Sequence, residues 1–337
     1  MARLPVNDID GLAANIGSGD RKALARAITL AESTRAADRE AAEKLLTRLL
    51  PRTGQALRIG ISGAPGAGKS TFIEALGMHI TGTRKKLAVL AVDPSSLRSG
   101  GSILGDKTRM TTLARNPLAF IRPTPSGGTP GGVARRTREA LLFAEAAGYE
   151  VVLVETVGVG QSETAVAEMV DLFMLLVAPG SGDDLQGIKR GAMELADLIL
   201  ITKADGDLTD AANRAFGDYR AALGLMRPKY PEIPPEIAKV SALTGTGIPE
   251  SWTLIQSLAE RLRTGGHLGR LRTGQLRGWF WSEVRAALVE TLDADPAMAA
   301  EAAALESRVL AGQSLPQAAA RTLIGAFRGL DGAIPRP

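Results

Sequence analysis

The sequence predicts an α/β protein in which helices cover both faces of a mostly parallel β-sheet, giving three layers. Residues 57–242 alternate between short apolar runs and stretches with helical periodicity. Several runs, such as "VVLV" at 151–154 and "LILI" at 198–201, are apolar at consecutive positions. Strands of this kind are covered on both faces, which is typical of parallel sheets in α/β folds.

This alternation divides the chain into three predicted regions. Residues 1–54 are predicted to form helices, among them "SGDRKALARAITLAES", which Ser18 or Asp20 would cap. Residues 55–265 form the α/β domain, and residues 266–337 form a helical tail. Seven strands are predicted in the central region, at 57–62, 86–93, 119–123, 150–156, 171–178, 197–202 and 236–242.

The composition excludes several classes of function. The chain has 337 residues and no cysteine, so it has no disulfide framework, thiolate metal site or cysteine nucleophile. Its 2 histidines are too few for a histidine-built metal centre. A net charge of +4 does not predict a nucleic-acid partner, and no apolar run approaches the ~20 residues that cross a membrane. We therefore expect a cytoplasmic protein without a membrane partner.

The strongest motif is "GAPGAGKS" at 63–70, which matches the phosphate-binding pattern G-x-x-x-x-G-K-[ST] between a predicted strand and a predicted helix. Its backbone N–H groups and the helix N-terminus would surround the nucleotide phosphates. Lys69 would contact the β and γ oxygens, and the Ser70 hydroxyl would bind Mg²⁺. The predicted contacts are Gly63, Ala64, Pro65, Gly66, Ala67, Gly68, Lys69, Ser70 and Thr71.

Two further motifs favour GTP over ATP. "ITKAD" at 201–205 resembles the guanine-reading N-K-x-D motif, with Thr202 in place of the asparagine. The Asp205 carboxylate would accept from guanine N1–H and the 2-amino group, a donor pair that adenine lacks, and the Lys203 stem would lie over the base. "SALTGTG" at 241–247 resembles the loop whose backbone binds guanine O6. The predicted contacts of that loop are Ser241, Ala242 and Leu243.

Three acids are candidate Mg²⁺ ligands, directly or through water. Asp93 ends the strand beside the phosphate-loop strand, and Asp106 lies in a long glycine-rich loop. Glu155 ends a buried strand and is followed by a glycine-rich corner, in which Gly158 would sense the terminal phosphate. Many nucleotide switches place a water-orienting glutamine after that glycine, but this chain has Val159.

The stretch "APGSGDDLQGIKRGAMELAD" at 178–197 combines pliable glycines with polar side chains. Residue chemistry alone is equally consistent with an ordinary loop between a strand and a helix and with a loop that contacts a partner.

In this order the motifs resemble one family, the MeaB/ArgK-type G proteins. These are the GTPase chaperones of adenosylcobalamin-dependent methylmalonyl-CoA mutase, and they include the human methylmalonic aciduria type A protein. The resemblance covers nearly the whole chain and includes the long strings "GGSILGDKTRM" at 100–110 and "ETVGVGQSE" at 155–163.

The resemblance implies three switch segments around the nucleotide: 93–109 as switch I, 155–161 as switch II, and 180–190 as switch III, which relays the nucleotide state to the mutase. The implied switch and partner residues are Arg109, Gln161, Asp184, Gln186 and Lys189, and the implied catalytic residues are Lys69, Asp106 and Glu155. With Val159 after Gly158, no side chain of this motif orients the attacking water, so intrinsic hydrolysis should be slow. A partner that supplies a missing group can accelerate a G protein by ~10³–10⁵-fold.

We therefore expect a GTP-hydrolysing, Mg²⁺-using chaperone that gates adenosylcobalamin loading into an acyl-CoA mutase and protects that mutase. The alternatives are a GTPase serving a nickel enzyme, a small-molecule kinase with the same phosphate loop, and a module that binds GTP without turnover. The scarcity of histidine and cysteine disfavours the nickel alternative. The kinase alternative requires an acceptor pocket and a general base, for which no motif is found.

The helical tail predicts a homodimer. In its first helix an apolar stripe lies beside Trp279 and Trp281, after a glycine-containing segment at 263–270 that is interpreted as a flexible spacer. A helix beyond such a spacer would bury its aromatics against a second copy of the chain. The alternative is that the helix packs back on the α/β core. The stripe consists of Leu276, Phe280, Val284, Ala287 and Leu288.

Overall fold

The structure is a computed structural model, and it describes residues 8–93, 110–125, 130–156, 162–180 and 190–330. The described chain separates into two compact units, with the boundary between Gln275 and Leu276.

The first unit begins with three helices, α1 (Ile9–Gly17), α2 (Arg21–Ala31) and α3 (Ala36–Leu49). Of the two capping residues considered from the sequence, Asp20 is the one that caps α2, since its carboxylate accepts from the Lys22 backbone N–H at 2.7 Å. A short 3-10 turn that contains Pro51 follows α3 and ends the helical segment before the first strand.

A parallel sheet forms the centre of the first unit. Its strands are β1 (Leu57–Gly63), β2 (Leu87–Asp93), β3 (Ala119–Pro125), β4 (Val151–Thr156), β5 (Leu172–Val177), β6 (Leu198–Ile201) and β7 (Glu236–Lys239). The helices between them are α4 (Lys69–Gly82), α5 (Thr111–Arg115), α6 (Pro130–Ala146), α7 (Ser162–Ala167), α8 (Arg190–Leu195) and α9 (Thr209–Leu225), and α10 (Ile248–Thr264) follows β7.

The strand order is β3-β2-β4-β1-β5-β6-β7, and every described pair of neighbours is parallel. The seven predicted strands are thus confirmed, with ends that differ by at most a few residues. All positions of β4, β5 and β6 are buried, which explains why these strands are apolar at consecutive positions. This is the pattern expected of strands that are covered on both faces.

Helices cover both faces of the sheet, as predicted. On one face, α4, α5 and α10 pack on Ile59 and Ile61 of β1 and on inward residues of the neighbouring strands. On the other face, α8 and α9 pack on Ile199 and Ile201 of β6, and α6 and α7 cover the β4 and β1 side. The N-terminal helices α2 and α3 pack against α6.

The segment 263–270, interpreted from the sequence as a flexible spacer, is instead helical on both sides of a two-residue turn. Helix α10 ends at Thr264, and α11 (His267–Ala294) begins after Gly265 and Gly266. The start of α11 is anchored, because Arg272 forms a salt bridge at 2.7 Å with the buried Asp171 and donates to the Ala56 carbonyl at 2.7 Å.

The second unit contains the rest of α11 together with α12 (Pro296–Leu310) and α13 (Pro316–Leu330), so the predicted helices of the tail are confirmed. Helices α12 and α13 pack against each other, and Asp295 caps α12. In the described part of the chain, every helix is too short or too polar to span a bilayer.

Candidate functional site

The candidate site lies where the carboxyl ends of β1, β4, β5 and β6 meet at one edge of the sheet. In open parallel sheets this edge is where ligands bind. The topology brings together the phosphate motif after β1, Glu155 near the end of β4 and the base motif after β6.

The phosphate loop is a tight turn between β1 and α4. At Gly63 an added Cβ would lie 2.4 Å from the Leu176 carbonyl oxygen on β5, so no side chain fits at the point where β1 leaves the sheet. Gly68, the residue before α4, has a left-handed φ of 82°, a conformation that suits glycine. The turn places the N-terminus of a 14-residue helix, with its free N–H groups and partial positive charge, beside the loop.

Lys69 is buried in the first turn of α4, and its ammonium is folded over the loop. Its Nζ donates to the Gly63 carbonyl at 2.8 Å and to the Ala64 carbonyl at 3.2 Å. These contacts hold the positive charge over the phosphate loop, and a cation beside the backbone N–H groups of such a loop is favourable for a phosphate oxygen. The next residue, Ser70, is half-buried, while Thr71, Pro65 and Gly66 are exposed.

Glu155 supplies a buried acid beside this loop. Glu155 is only 3% exposed, and it lies in register with Ile61 of β1 and Ala91 of β2. Asp93 ends β2, two residues beyond Ala91, and its backbone is described but its side chain is not. Oxygen donors of the carboxylate and hydroxyl type suit Mg²⁺, which one or two protein carboxylates hold together with substrate phosphates. Glu155 and the hydroxyl of Ser70 therefore form a donor set that fits this ion.

The base motif follows β6 and contacts the phosphate loop. Lys203 has a left-handed φ of 53°, which is uncommon for a residue with a side chain and occurs mainly at constrained functional positions. A Cβ added at Gly68 would lie 3.9 Å from Lys203 Cε, so the lysine stem runs along the phosphate loop.

Asp205 is tied to the 241–247 loop. The buried hydroxyl of Ser241 donates to the Asp205 carboxylate and accepts from the Thr244 backbone N–H at 3.1 Å. The Ala204 backbone N–H also donates to the Val240 carbonyl at 3.1 Å. Ala242 is half-buried and Leu243 is exposed in the same loop. The two motifs that predicted guanine recognition therefore form one hydrogen-bonded unit.

Thr202 joins the base motif to the phosphate motif, a role that sequence reasoning missed. Its buried hydroxyl lies 2.8 Å from the Ala67 carbonyl and 3.1 Å from the Val177 carbonyl, within donating distance of both. The substitution of threonine for asparagine in the N-K-x-D pattern was the available signal. It pointed to a lost hydrogen bond, whereas the hydroxyl forms a polar link between two loops.

Several predicted site residues lie outside the described residues, and the structure places none of them. They are Asp106 and Arg109 in the first switch segment, Gly158, Val159 and Gln161 in the second, and Asp184, Gln186 and Lys189 in the third.

A phosphate loop at the start of α4, a carboxylate in the guanine-reading position and a parallel sheet between helices together define a P-loop GTPase. The family described as methylmalonyl Co-A mutase-associated GTPase MeaB matches residues 24–297, and the chain belongs to this family. The protein is thus a GTPase, and GTP and GDP are its nucleotide ligands.

Individual relatives agree with this assignment. The chain is 46% identical over 330 residues to the mitochondrial methylmalonic aciduria type A homolog of Mus musculus, covering 95% of this chain and 80% of the mouse protein. It is 52% identical over 262 residues to GTPase ArgK of Escherichia coli, covering 78% of this chain and 79% of that protein. A crystal structure of a LAO/AO transport system kinase superposes with a TM-score of 0.77 at 37% identity, covering 97% of this chain and 100% of the other.

The contacts of Thr202 and Asp205 predict two different losses. Thr202→Val keeps the shape but removes the hydroxyl donor of the Ala67 carbonyl, while the Val177 carbonyl still accepts from the backbone N–H of residue 202 at 2.8 Å. The lost bond costs about 1–2 kcal/mol of stability and should weaken GDP binding about tenfold. Asp205→Asn should shift the preference toward xanthine nucleotides, because xanthine presents an acceptor where guanine has its amine. Titration of both variants with fluorescent GDP and XDP measures the two effects.

Thr81→Val is the matched control, since this buried threonine donates to the Gly77 carbonyl at 2.8 Å near the far end of α4. GDP binding by Thr202→Val as tight as that of the wild type would contradict the linking role.

Proposed function

We propose that the protein is a Mg²⁺-dependent GTPase that acts as a chaperone of methylmalonyl-CoA mutase or a closely related acyl-CoA mutase. In this role it gates the loading of adenosylcobalamin and protects the mutase from inactivation. The observation that carries the proposal is the joined phosphate and guanine site in a chain whose family is described by its association with that mutase.

In the proposed hydrolytic site, Lys69 moves its donors from the loop carbonyls to the β and γ oxygens when nucleotide enters. The backbone N–H groups of 63–71 and the N-terminus of α4 hold the phosphates, and the stem of Lys203 and the Asp205 carboxylate hold the base. Lys69 and the N–H groups of the loop bind most strongly to the charge that develops on the phosphate during transfer to water, so they favour hydrolysis over simple binding.

The proposed Mg²⁺ ligands are Ser70 and Glu155, with Asp93 and Asp106 on the same side. When bound, the ion neutralises charge on the phosphate oxygens. Glu155 is suited to this role because it lies within β4, between β1 and β2, in register with Ile61 near the end of β1.

The three switch segments complete the proposal. Arg109, Gln161, Asp184, Gln186 and Lys189 would connect the nucleotide state to the mutase. Val159, in the position of a water-orienting glutamine, suits a slow GTPase whose acceleration depends on the partner.

We also propose that two copies of the chain pair through α11. No residue of this 28-residue helix is buried in the described single chain, although it carries the apolar stripe. Leu276, Phe280 and Leu288 are 61%, 60% and 56% exposed. An apolar helix face of this length is typical of homodimer interfaces, and a second copy buries the same face in return.

The hydrolytic assignment predicts that Lys69→Ala lowers the GTPase rate at least about 10²-fold, because a charged donor to the transferring phosphate is lost. Glu155→Ala should raise the Mg²⁺ concentration needed for hydrolysis much more than it weakens GDP binding. Release of free phosphate from GTP, without added acceptor, is the measurement, and it also distinguishes hydrolysis from a kinase reaction. Lys85→Ala, at a surface lysine, is the control. Equal rates in the wild type and Lys69→Ala would rule out the enzymatic site.

The chaperone assignment predicts that methylmalonyl-CoA mutase stimulates GTP hydrolysis by the wild-type protein. The double variant Gln186→Ala, Lys189→Ala should keep the slow intrinsic rate and lose the stimulation, since these residues are proposed to contact the mutase. GTPase assays across a series of mutase concentrations give both quantities. Normal stimulation of the double variant would contradict the switch III assignment, and an unstimulated wild type would contradict the choice of client.

The dimer proposal predicts that Phe280→Glu or Leu288→Glu produces a monomer that still binds GDP. Ser282→Glu is the matched control, because at 3.6 residues per turn it places the same charge on the face of α11 opposite the stripe. Light scattering at micromolar concentration reports the mass. A wild-type monomer, or a dimer that survives both stripe variants, would show that this face does not form the interface.

A further inference from the structure

A chain of buried hydrogen bonds runs beneath the phosphate loop through three side chains outside the predicted site. The Thr156 hydroxyl donates to the Ser62 hydroxyl at 2.9 Å, and the Ser62 hydroxyl donates to the Glu163 carboxylate at 3.2 Å. Ser62 and Thr156 are fully buried, and Glu163 is 4% exposed. A buried carboxylate is costly unless it is hydrogen-bonded, so this position is a demanding one for glutamate.

The close docking of α7 on β1 brings these groups together. Gly60 and Ser62 lie on the same face of β1, and Glu163 and Val166 lie one turn apart on α7. A Cβ added at Gly60 would lie 2.9 Å from Val166 Cγ1 and 3.0 Å from a ring carbon of Phe173. The helix can therefore approach the strand this closely only because residue 60 has no side chain.

The direction of the bonds makes Glu163 the acceptor on which the other two depend. Each hydroxyl has a single proton, so Ser62 can accept from Thr156 and still donate to the carboxylate. Without an acceptor at position 163, the Ser62 proton must turn to another group, and the Thr156 hydroxyl can then move its bond from Ser62 to the Ile61 carbonyl, which lies 3.5 Å away. In a buried network such losses propagate from one group to the next.

Each member of this chain is next to a part of the proposed nucleotide site. Ser62 directly precedes Gly63, the first residue of the phosphate loop, and Thr156 directly follows Glu155. Glu163 lies in the first turn of α7, the helix that comes after the second switch segment. The hydrogen bonds thus extend the pairing of β1 and β4 by one residue beyond Ile61 and Glu155, at the point where the proposed phosphate and metal-side groups leave the sheet.

We propose that Glu163 is a positioning residue for the GTPase reaction: through Ser62 and Thr156 it sets the position of Glu155 relative to the phosphate loop. The inference rests on the proposed hydrolytic site, in which Glu155 acts on the Mg²⁺ side. In the part of the chain that the structure describes, Glu163 is joined to the end of β1 through Ser62, and this bond is the route by which it is proposed to act on the reaction.

The test compares Glu163→Ala, Ser62→Ala, their double variant and Glu163→Gln in the full-length protein. Misplacement of a catalytic group should lower kcat at saturating Mg²⁺ about 10- to 100-fold in Glu163→Ala and in Ser62→Ala. The double variant should be no worse than either single one, since both break the same chain. Glu163→Gln keeps an acceptor oxygen and should retain a rate within about threefold of the wild type.

A second measurement does not depend on turnover. Mg²⁺ slows GDP dissociation when the metal-side groups are in place, so the ratio of fluorescent-GDP dissociation rates in EDTA and in Mg²⁺ should fall in Glu163→Ala. The rate in EDTA should stay within about twofold of the wild type. Glu168→Ala, an exposed acid just after the same helix, is the control and should change neither quantity.

The proposal is overturned if the dissociation ratio of Glu163→Ala equals that of the wild type. It is also overturned if GDP binding in EDTA and thermal stability fall together with kcat, as expected for general unfolding. If the wild type shows no Mg²⁺-dependent hydrolysis, the hydrolytic site and this inference both fail. If the wild type hydrolyses GTP and the variants match it, only the inference fails.

Discussion

The nucleotide site depends on the close contact between the end of β1 and β5 at Gly63. A side chain at this position would collide with the Leu176 carbonyl, so the phosphate loop must start with glycine for β1 to stay paired with β5. Farther along the loop, the Thr202 hydroxyl lies within donating distance of both the Ala67 and the Val177 carbonyls. The Gly63 contact and the Thr202 hydroxyl thus both hold the phosphate loop against the end of β5, and Thr202 joins it to the base motif.

The phosphate motif, the base motif and the 241–247 loop are joined by a continuous series of contacts. The left-handed Lys203 follows Thr202 directly, and its stem lies along Gly68 of the phosphate loop. Asp205, two residues further on, is held by Ser241 in the loop after β7. The phosphate motif and the base motif are therefore joined directly through Thr202 and Lys203. In the proposed site, this link would couple guanine binding to phosphate binding.

The sequence predicted the strands and the motifs because these features are local. Consecutive apolar residues identify strands such as β4 and β5, and the glycine spacing identifies the phosphate loop regardless of the residues that pack around it. The tie between Thr202 and Ala67 joins residues 135 positions apart, and the tie between Ser62 and Glu163 joins residues 101 positions apart. Such contacts depend on strand order and on the depth of helix docking, which no local pattern encodes. The interpretation of segment 263–270 as a flexible spacer was wrong for the same reason. Its glycines predict flexibility, but Arg272 fixes the first turns of α11 by bonding to Asp171, directly before β5.

The anchor at Arg272 lies at the opposite end of the strands that carry the nucleotide site. Asp171 directly precedes β5, and its carboxylate accepts from the Arg58 backbone N–H at 2.9 Å. This hydrogen bond joins the amino ends of β1 and β5. The carboxyl ends of these strands, about 20 Å away at ~3.3 Å per residue, lead into the phosphate loop after β1 and into Ala178 after β5. Removing one partner of a buried ion pair is strongly destabilising. The pair of Arg272 and Asp171 therefore fixes the start of α11 more firmly than an exposed salt bridge would. Because β1 and β5 are paired in parallel, the anchor of α11 and the proposed nucleotide site lie at opposite ends of the same two strands. The fold therefore fixes the start of the proposed dimer helix at a place separate from the groups that are proposed to bind GTP.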